Sequence, residues 1–186
     1  MTNSDWSSDV CSSDLEVKLP AFFSDGMVMQ QQTRANLWGT ATPNAPVKIT
    51  TSWDKQTYKT IADAKGAWKL ALSTPSAGGP YTITFDDGKL TEIRDILMGE
   101  LWLCSGQSNM EMPMKGFKNQ PVENSNTDVM NSRNPQLRLF TVKRSSSFTP
   151  KTDVVGTWQE AVPATVREFS ATAYYFGRMI QQQLNI

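Results

Sequence analysis

From Glu16 to Leu97 the apolar and polar positions alternate in short runs: Met27–Gln32, Ala35–Thr40, Val47–Trp53, Gln56–Ala62, Trp68–Ser73, Tyr81–Phe85 and Leu90–Leu97. In Val47–Trp53 the residues Val47, Ile49, Thr51 and Trp53 share one face, and in Trp68–Ser73 so do Trp68, Leu70 and Leu72. A period of two is the signature of a strand with one buried face. Turn residues separate the runs: Asp25-Gly26, Thr42-Pro43-Asn44, Asp54-Lys55, Ala64-Lys65-Gly66, Pro75–Pro80 and Asp86-Asp87-Gly88. Short strands at this spacing, with no helical stretch between them, predict an antiparallel β-sandwich over residues 16–97.

The texture changes near Met98. Leu101–Cys104 is a continuous apolar run that ends on Gly106, which predicts a central strand buried on both faces. Lys115–Asn134 and Lys143–Val155 read as polar surface loops, with a second strand at Gln136–Val142 between them. Over Val166–Leu184 the residues Phe169, Ala173, Phe176, Ile180 and Leu184 recur every three or four positions, predicting one amphipathic helix. Strand, loop, strand, loop, helix is the opening of an α/β layout, expected over 98–186. Two parallel strands do not bury themselves, so this second domain is expected to be incomplete.

Composition then narrows the chemistry. Eighteen basic residues balance eighteen acidic ones, so no basic field points to nucleic acid or to an anionic membrane surface. Two cysteines support neither a disulfide scaffold nor a Cys-rich zinc site, and nothing in the pattern implies a metal or an organic cofactor. The histidine count is zero. A chain without histidine lacks the usual general base for a serine or cysteine nucleophile and holds no complete Ser-His-Asp triad. Residues 1–15 are Ser/Asp-dense, with neither the basic nor the apolar region of a secretory signal. Asp5–Leu15, DWSSDVCSSDL, reads as one frame of a sequencing-library adaptor, so Met1–Leu15 is expected to be an assembly artefact; the alternative is a polar leader.

Candidate chemistry gathers in LWLCSGQSNMEMPM, Leu101–Met114. A nucleophilic serine needs its oxygen exposed at the end of a strand and backbone N–H groups to hold a developing oxyanion. An apolar strand, then Gly106, then Ser108 and a helical turn would supply both, as in a nucleophile elbow, although the second glycine of the GxSxG form is missing. Ser108 and Asn109 are equally good helix caps, and from spacing alone that reading stays open.

The block GELWLCSGQSNMEMPM, Gly99–Met114, resembles the nucleophile block of the sialate O-acetylesterase family, a carbohydrate-esterase branch of the SGNH/GDSL hydrolases. Upstream, LPAFFSDGMVMQQ (Leu19–Gln31), Val47–Leu70 and GGPYTITF (Gly78–Phe85) are similar to the family's N-terminal β-domain. Downstream, Gly156–Leu184 is similar to its Trp-rich turn and following helix. The resemblance implies an N-terminal β-sandwich followed by the beginning of a flavodoxin-like, three-layer SGNH hydrolase domain, truncated here. It implies Ser108 as nucleophile and backbone oxyanion donor, supported by Gly106, Gln107 and Asn109. The substrate would be an O-acetylated carbohydrate, deacetylated through an acetyl-enzyme. It further implies export to the periplasm or beyond the cell. The Asp-x-x-His block that supplies the base and its orienting carboxylate is absent from this chain, which is therefore expected to be an N-terminal part, inactive by itself.

Other residues have plainer readings. Cys104 is expected to be a buried, inert apolar side chain, and Glu111 a first-turn acid favoured by the helix dipole. Met110, Met112 and Met114 are expected to fill gaps around the elbow, and Trp38, Trp53 and Trp68 to pack in the core rather than form a sugar platform. Lys143-Arg144 reads as a solvated loop. Gln107 and Asn109 either shape a pocket by hydrogen bonding or have no role there. Two further functions stay in competition: a non-catalytic carbohydrate-binding or spacer β-sandwich with a degenerate hydrolase remnant, and a small protein with an interaction role.

Overall fold

The alternation of the first half becomes strands. The computed structural model describes residues 16–186, so the reading of residues 1–15 lies outside the described residues. Seven strands follow: β1 (Val28–Gln30), β2 (Arg34–Thr40), β3 (Pro46–Thr51), β4 (Thr57–Ile61), β5 (Ala67–Ser73), β6 (Gly78–Asp86) and β7 (Leu90–Gly99). In β3, Val47, Ile49 and Thr51 are buried while Pro46, Lys48 and Thr50 are exposed, as a period of two requires. Five strands form one sheet in the order β1-β7-β6-β3-β4, and β2 pairs with β5 in a second. The larger sheet curls until its edge strand β4 lies beside β5, where the Thr60 hydroxyl donates to the Lys69 carbonyl at 3.3 Å. All pairings are antiparallel except β1 with β7, which is parallel. That exception departs from the wholly antiparallel expectation; alternation reveals a strand's buried face but not the direction of its neighbour.

One core joins the two sheets. Leu37, Trp68 and Leu72 from the small sheet pack with Val47, Ile49, Ile83, Phe85 and Ile96 from the large one. The Trp68 and Phe85 rings lie 5.9 Å apart. Each such side chain contributes roughly 1.5–3 kcal/mol by leaving water. Trp38 and Trp53 are half-buried against this core, their indole N–H groups donating to the Thr152 and Ser73 carbonyls at 2.9 and 3.2 Å.

The second half differs more from expectation. It contains α1 (Ser108–Glu111), α2 (Ser125–Met130), β8 (Asn134–Phe140), β9 (Trp158–Ala161), α3 (Pro163–Glu168) and α4 (Ala171–Leu184). The expected loop over Lys115–Asn134 encloses α2, which is held on α4: Tyr175 OH and Arg178 Nη1 donate to the Asp128 carboxylate at 2.7 and 2.8 Å. Burial, then the bond to Asp128, pushes the Tyr175 hydroxyl up to about 12. The strand β9 carries no alternation and was not expected; it pairs with β8 antiparallel, and the parallel pair expected of Leu101–Cys104 and Gln136–Val142 is not formed. The expected single helix is two, because Met112–Lys115 runs alongside Arg167–Ala171. Met114 N–H donates to the Phe169 carbonyl at 2.9 Å and Ala171 N–H to the Met112 carbonyl at 2.8 Å. Phe169 is thereby extended, and Ser170 caps α4 by accepting from Ala173 N–H. The buried face of α4 consequently turns to Ala171, Ala173 and Tyr174, and Leu184 is exposed.

The two halves meet at Arg138, whose side chain is only 5% exposed. Its guanidinium donates to both Asp95 carboxylate oxygens, at 2.6 and 3.2 Å, and to the Gly26 carbonyl at 3.4 Å. A side chain at Gly26 would begin 3.0 Å from Arg138 Nη1, so the close approach and the positive φ of 77° both require glycine there. Beside this pair the Phe22, Phe140 and Trp158 rings pack at 5.2–5.6 Å, and Trp158 Nε1 donates to the Phe22 carbonyl at 2.8 Å.

Asp95→Asn keeps a residue type tolerated at Asp95's φ of 55° but removes the charge facing a buried guanidinium. We expect it to lower unfolding free energy by about 2 kcal/mol. Glu160, 3.7 Å from Arg138 and half exposed, should cost under about 1 kcal/mol as Glu160→Gln. Urea unfolding followed by circular dichroism measures both, and equal losses would contradict the assignment of Asp95 as the principal partner.

Candidate active site

β7 ends at Gly99, and residues 101–106 then run with no regular secondary structure to a bend at Gln107. The expected buried central strand at Leu101–Cys104 is not formed. Leu103 is 91% exposed and Trp102 54%. An apolar run is buried on both faces only where neighbouring strands cover it, and among the described residues none pairs with this segment. Trp102 instead sets its ring edge-on to Phe176 of α4, 5.1 Å between centroids. Cys104 is exposed too, contrary to its expected burial, although partial cover of its sulfur pushes the thiol up from the ordinary range.

After Gln107 (φ −116°, ψ −140°) the chain enters the single helical turn α1, which begins at Ser108. Its backbone bonds are Met110 and Glu111 N–H to the Gln107 carbonyl and Met112 N–H to the Ser108 carbonyl. The Ser108 side chain is exposed and its hydroxyl forms no hydrogen bond among the described residues. The first N–H groups of a helical turn have no partner within it, and those of Ser108 and Asn109 make no backbone hydrogen bond among the described residues. Gly106 is not among the glycines of positive φ; it gives room, since a Cβ there would lie 3.2 Å from Met110 Cβ. Gly106, Gln107, Ser108 and Asn109 therefore form one exposed bend.

What holds the bend lies far away in sequence. The Thr172 hydroxyl donates to the Asn109 carbonyl at 3.0 Å, and Ser170 Oγ lies 3.6 Å from Met110 Sδ. Glu111, in the first turn as expected, is ion-paired with Arg144, whose side chain stays 83% exposed in the solvated Lys143-Arg144 loop. Met114 is fully buried and Met110 and Met112 are half-buried, so gap-filling falls chiefly to Met114. At the other end, Leu101 N–H donates to the side-chain oxygen of Gln30 at 3.0 Å. No spacing signal marks Thr172 or Gln30, because their partners are 63 and 71 residues away.

Chemically the bend offers an exposed hydroxyl with amide protons beside it. Among the described residues no group of three or more His, Cys, Asp or Glu side chains is placed to hold a metal. An open cleft of about 470 Å³ lies elsewhere, between Phe23, Asp25, Glu92 and Trp158, and does not include Ser108.

With Cys11 replaced by serine, Cys104 should react fully with an aromatic disulfide reagent in the native state. Its rate should keep rising with pH beyond the point where a free thiol levels off, because the raised pKa leaves less thiolate at any lower pH. Protection of the thiol until denaturant is added would contradict its exposure.

No family model matches the chain. It is similar to the sialate O-acetylesterase of Rattus norvegicus, 28% identical over 185 residues, covering 90% of this chain and 33% of the relative. It is likewise similar to the sialate O-acetylesterase of Homo sapiens, 27% identical over 191 residues, covering 93% of this chain and 36% of the relative. Among solved structures, a carbohydrate acetylesterase from Xanthomonas citri superposes with a TM-score of 0.85 at 32% identity, covering 92% of this chain and 38% of that one. The chain thus spans about a third of the length of the relatives it matches. Sequence and structure together support, at modest identity, a place for the chain in the sialate O-acetylesterase family.

Proposed function

We propose that this chain carries the nucleophile of a serine-dependent carbohydrate O-acetylesterase, with Ser108 attacking the acetyl carbonyl of an O-acetylated sugar to give an acetyl-enzyme. In this reading residues 16–97 are a β-sandwich and 98–186 the N-terminal part of an SGNH-type α/β domain. The protein would work outside the cytoplasm; among the described residues no helix is long and apolar enough to cross a membrane.

The observation that carries the proposal is the state of Ser108: an exposed hydroxyl at a bend, without a hydrogen bond among the described residues, whose own N–H opens α1 with no partner inside the turn. Attack converts the carbonyl oxygen into an oxyanion, which that N–H would receive; loss of one such donor costs about 10²–10³-fold elsewhere. Gln107 and Asn109 would shape the approach. The chain contains no histidine, the usual acceptor for the hydroxyl proton. Proton transfer to a positioned base contributes about 10²–10⁴-fold, and where nucleophile and base act as a unit the loss reaches about 10⁶-fold. The chain by itself should therefore turn over no ester.

A second reading has one observation in its favour. The cleft between Phe23, Asp25, Glu92 and Trp158 combines aromatic rings with carboxylates and lies away from Ser108. A carbohydrate-binding module with a degenerate hydrolase remnant would bind sugar there and leave Ser108 unmodified.

An aryl acetate distinguishes these readings. Alone, the chain should show no hydrolysis above the Ser108→Ala variant. With imidazole added as an external base, Ser108 should gain one acetyl group, located by peptide mass spectrometry, and Ser108→Ala should gain none. Imidazole without acetylation of Ser108 would overturn the nucleophile assignment, and Ser108-dependent turnover without any added base would overturn the predicted inactivity.

A further inference from the structure

The parallel pairing of β1 with β7 sets Gln30 opposite Gly99, so that Gln30 and Gln31 emerge beside Glu100 where the large sheet ends. Their side chains close on it. Gln30 Nε2 donates to Glu100 Oε2 at 3.1 Å and Gln31 Nε2 to Glu100 Oε1 at 2.9 Å. Each glutamine then uses its oxygen on a backbone amide: Gln30 Oε1 accepts from Leu101 N–H at 3.0 Å, and Gln31 Oε1 from Ala77 N–H at 2.8 Å. Gln31 N–H extends the ladder by one bond, to the Gly99 carbonyl at 2.9 Å, and the Thr74 hydroxyl donates to the Gln30 carbonyl at 2.7 Å. Both carboxylate oxygens and both amide groups are thus engaged.

This network sits at the last point where the chain leading to Ser108 touches a sheet. The Leu101 amide would ordinarily donate to a strand carbonyl; here the side-chain oxygen of Gln30 takes that place. The carboxylate fixes Gln30, since a primary amide with its nitrogen held can present its oxygen in one direction only. From Trp102 to Gln107 no further ladder guides the backbone.

We propose that Glu100 is a positioning residue for Ser108: through Gln30 it fixes the Leu101 amide, and with it the direction in which Leu101–Gln107 leaves the sheet. The proposal rests on Ser108 being the nucleophile, but the clamp is testable without catalysis. The bonds from Gln31, then Gln30, hold the Glu100 carboxyl below its ordinary value. Those two amides are the groups that face it, and no charged side chain among the described residues acts on it. A lowered pKa means that the clamp is complete above the ordinary carboxylate range and is lost as pH falls through the lowered value.

The test is amide hydrogen exchange on the whole chain as wild type, Glu100→Gln and Gln30→Leu, with denaturant unfolding in parallel. In both variants the Leu101 amide should exchange about tenfold faster, the loss of one charge-supported bond, while β3 and β6 amides are unchanged. Wild type should show the same loosening at acidic pH, and Glu100→Gln should show no such pH step. Unchanged Leu101 protection, or loosening throughout the β-domain, would overturn the clamp. In the imidazole experiment Glu100→Gln should slow Ser108 acetylation severalfold. Acetylation at the wild-type rate would overturn the positioning role, whereas no acetylation in wild type would instead overturn the nucleophile itself.

Discussion

A backbone that leaves a sheet must find new partners for its N–H and C=O groups or stay in water, and this constraint governs the region around Ser108. β7 is paired on both sides, with β6 and with β1. Beyond Gly99 that pairing stops. The chain resolves the transition with side chains: Gln30 takes the Leu101 amide, and Thr172 donates to the Asn109 carbonyl. Between these anchors the segment stays exposed and carries large apolar groups, Leu103 above all. The bend at Ser108 is thus suspended from the β-domain at one end and from α4 at the other.

The two anchors belong to different cores. The first joins both β-sheets and includes the larger share of buried apolar residues; the second, around Met114, Leu139, Val166 and Tyr174, is small. Arg138 ties them, its buried guanidinium set between Asp95 of β7 and Glu160 of β9, with the Phe22–Phe140–Trp158 ring cluster beside it. A buried cation is tolerated only with its partners in place, so the pair does more to fix the register of the two halves than to add net stability. The rings supply the apolar area. The geometry at Ser108 is therefore a property of the junction as well as of its own loop.

The strands of the first half were legible because one periodicity reports both the strand and its buried face: Val47, Ile49 and Thr51 alternate with Lys48 and Thr50 in the sequence and in space. The helix over Val166–Leu184 was legible as a helix but not as two, since its break at Phe169-Ser170 is imposed by hydrogen bonds to Met112 and Met114. The strand β9 and the helix α2 had no periodic signal, being only four and six residues long. Leu101–Cys104 shows the limit most plainly. Its apolarity is real, but apolarity states what a segment would gain from burial and not whether anything covers it.

Composition and order of residues alone determined the alternating strands, the Gly-x-Ser bend followed by a helical turn, and the lack of any histidine to serve it. These are local or countable properties. Only the tertiary structure decided that β1 runs parallel to β7, that Glu100 meets Gln30 and Gln31, and that Thr172 reaches the Asn109 carbonyl. Such partners are joined by single hydrogen bonds across dozens of residues, and a single hydrogen bond leaves no periodic trace in the chain that forms it.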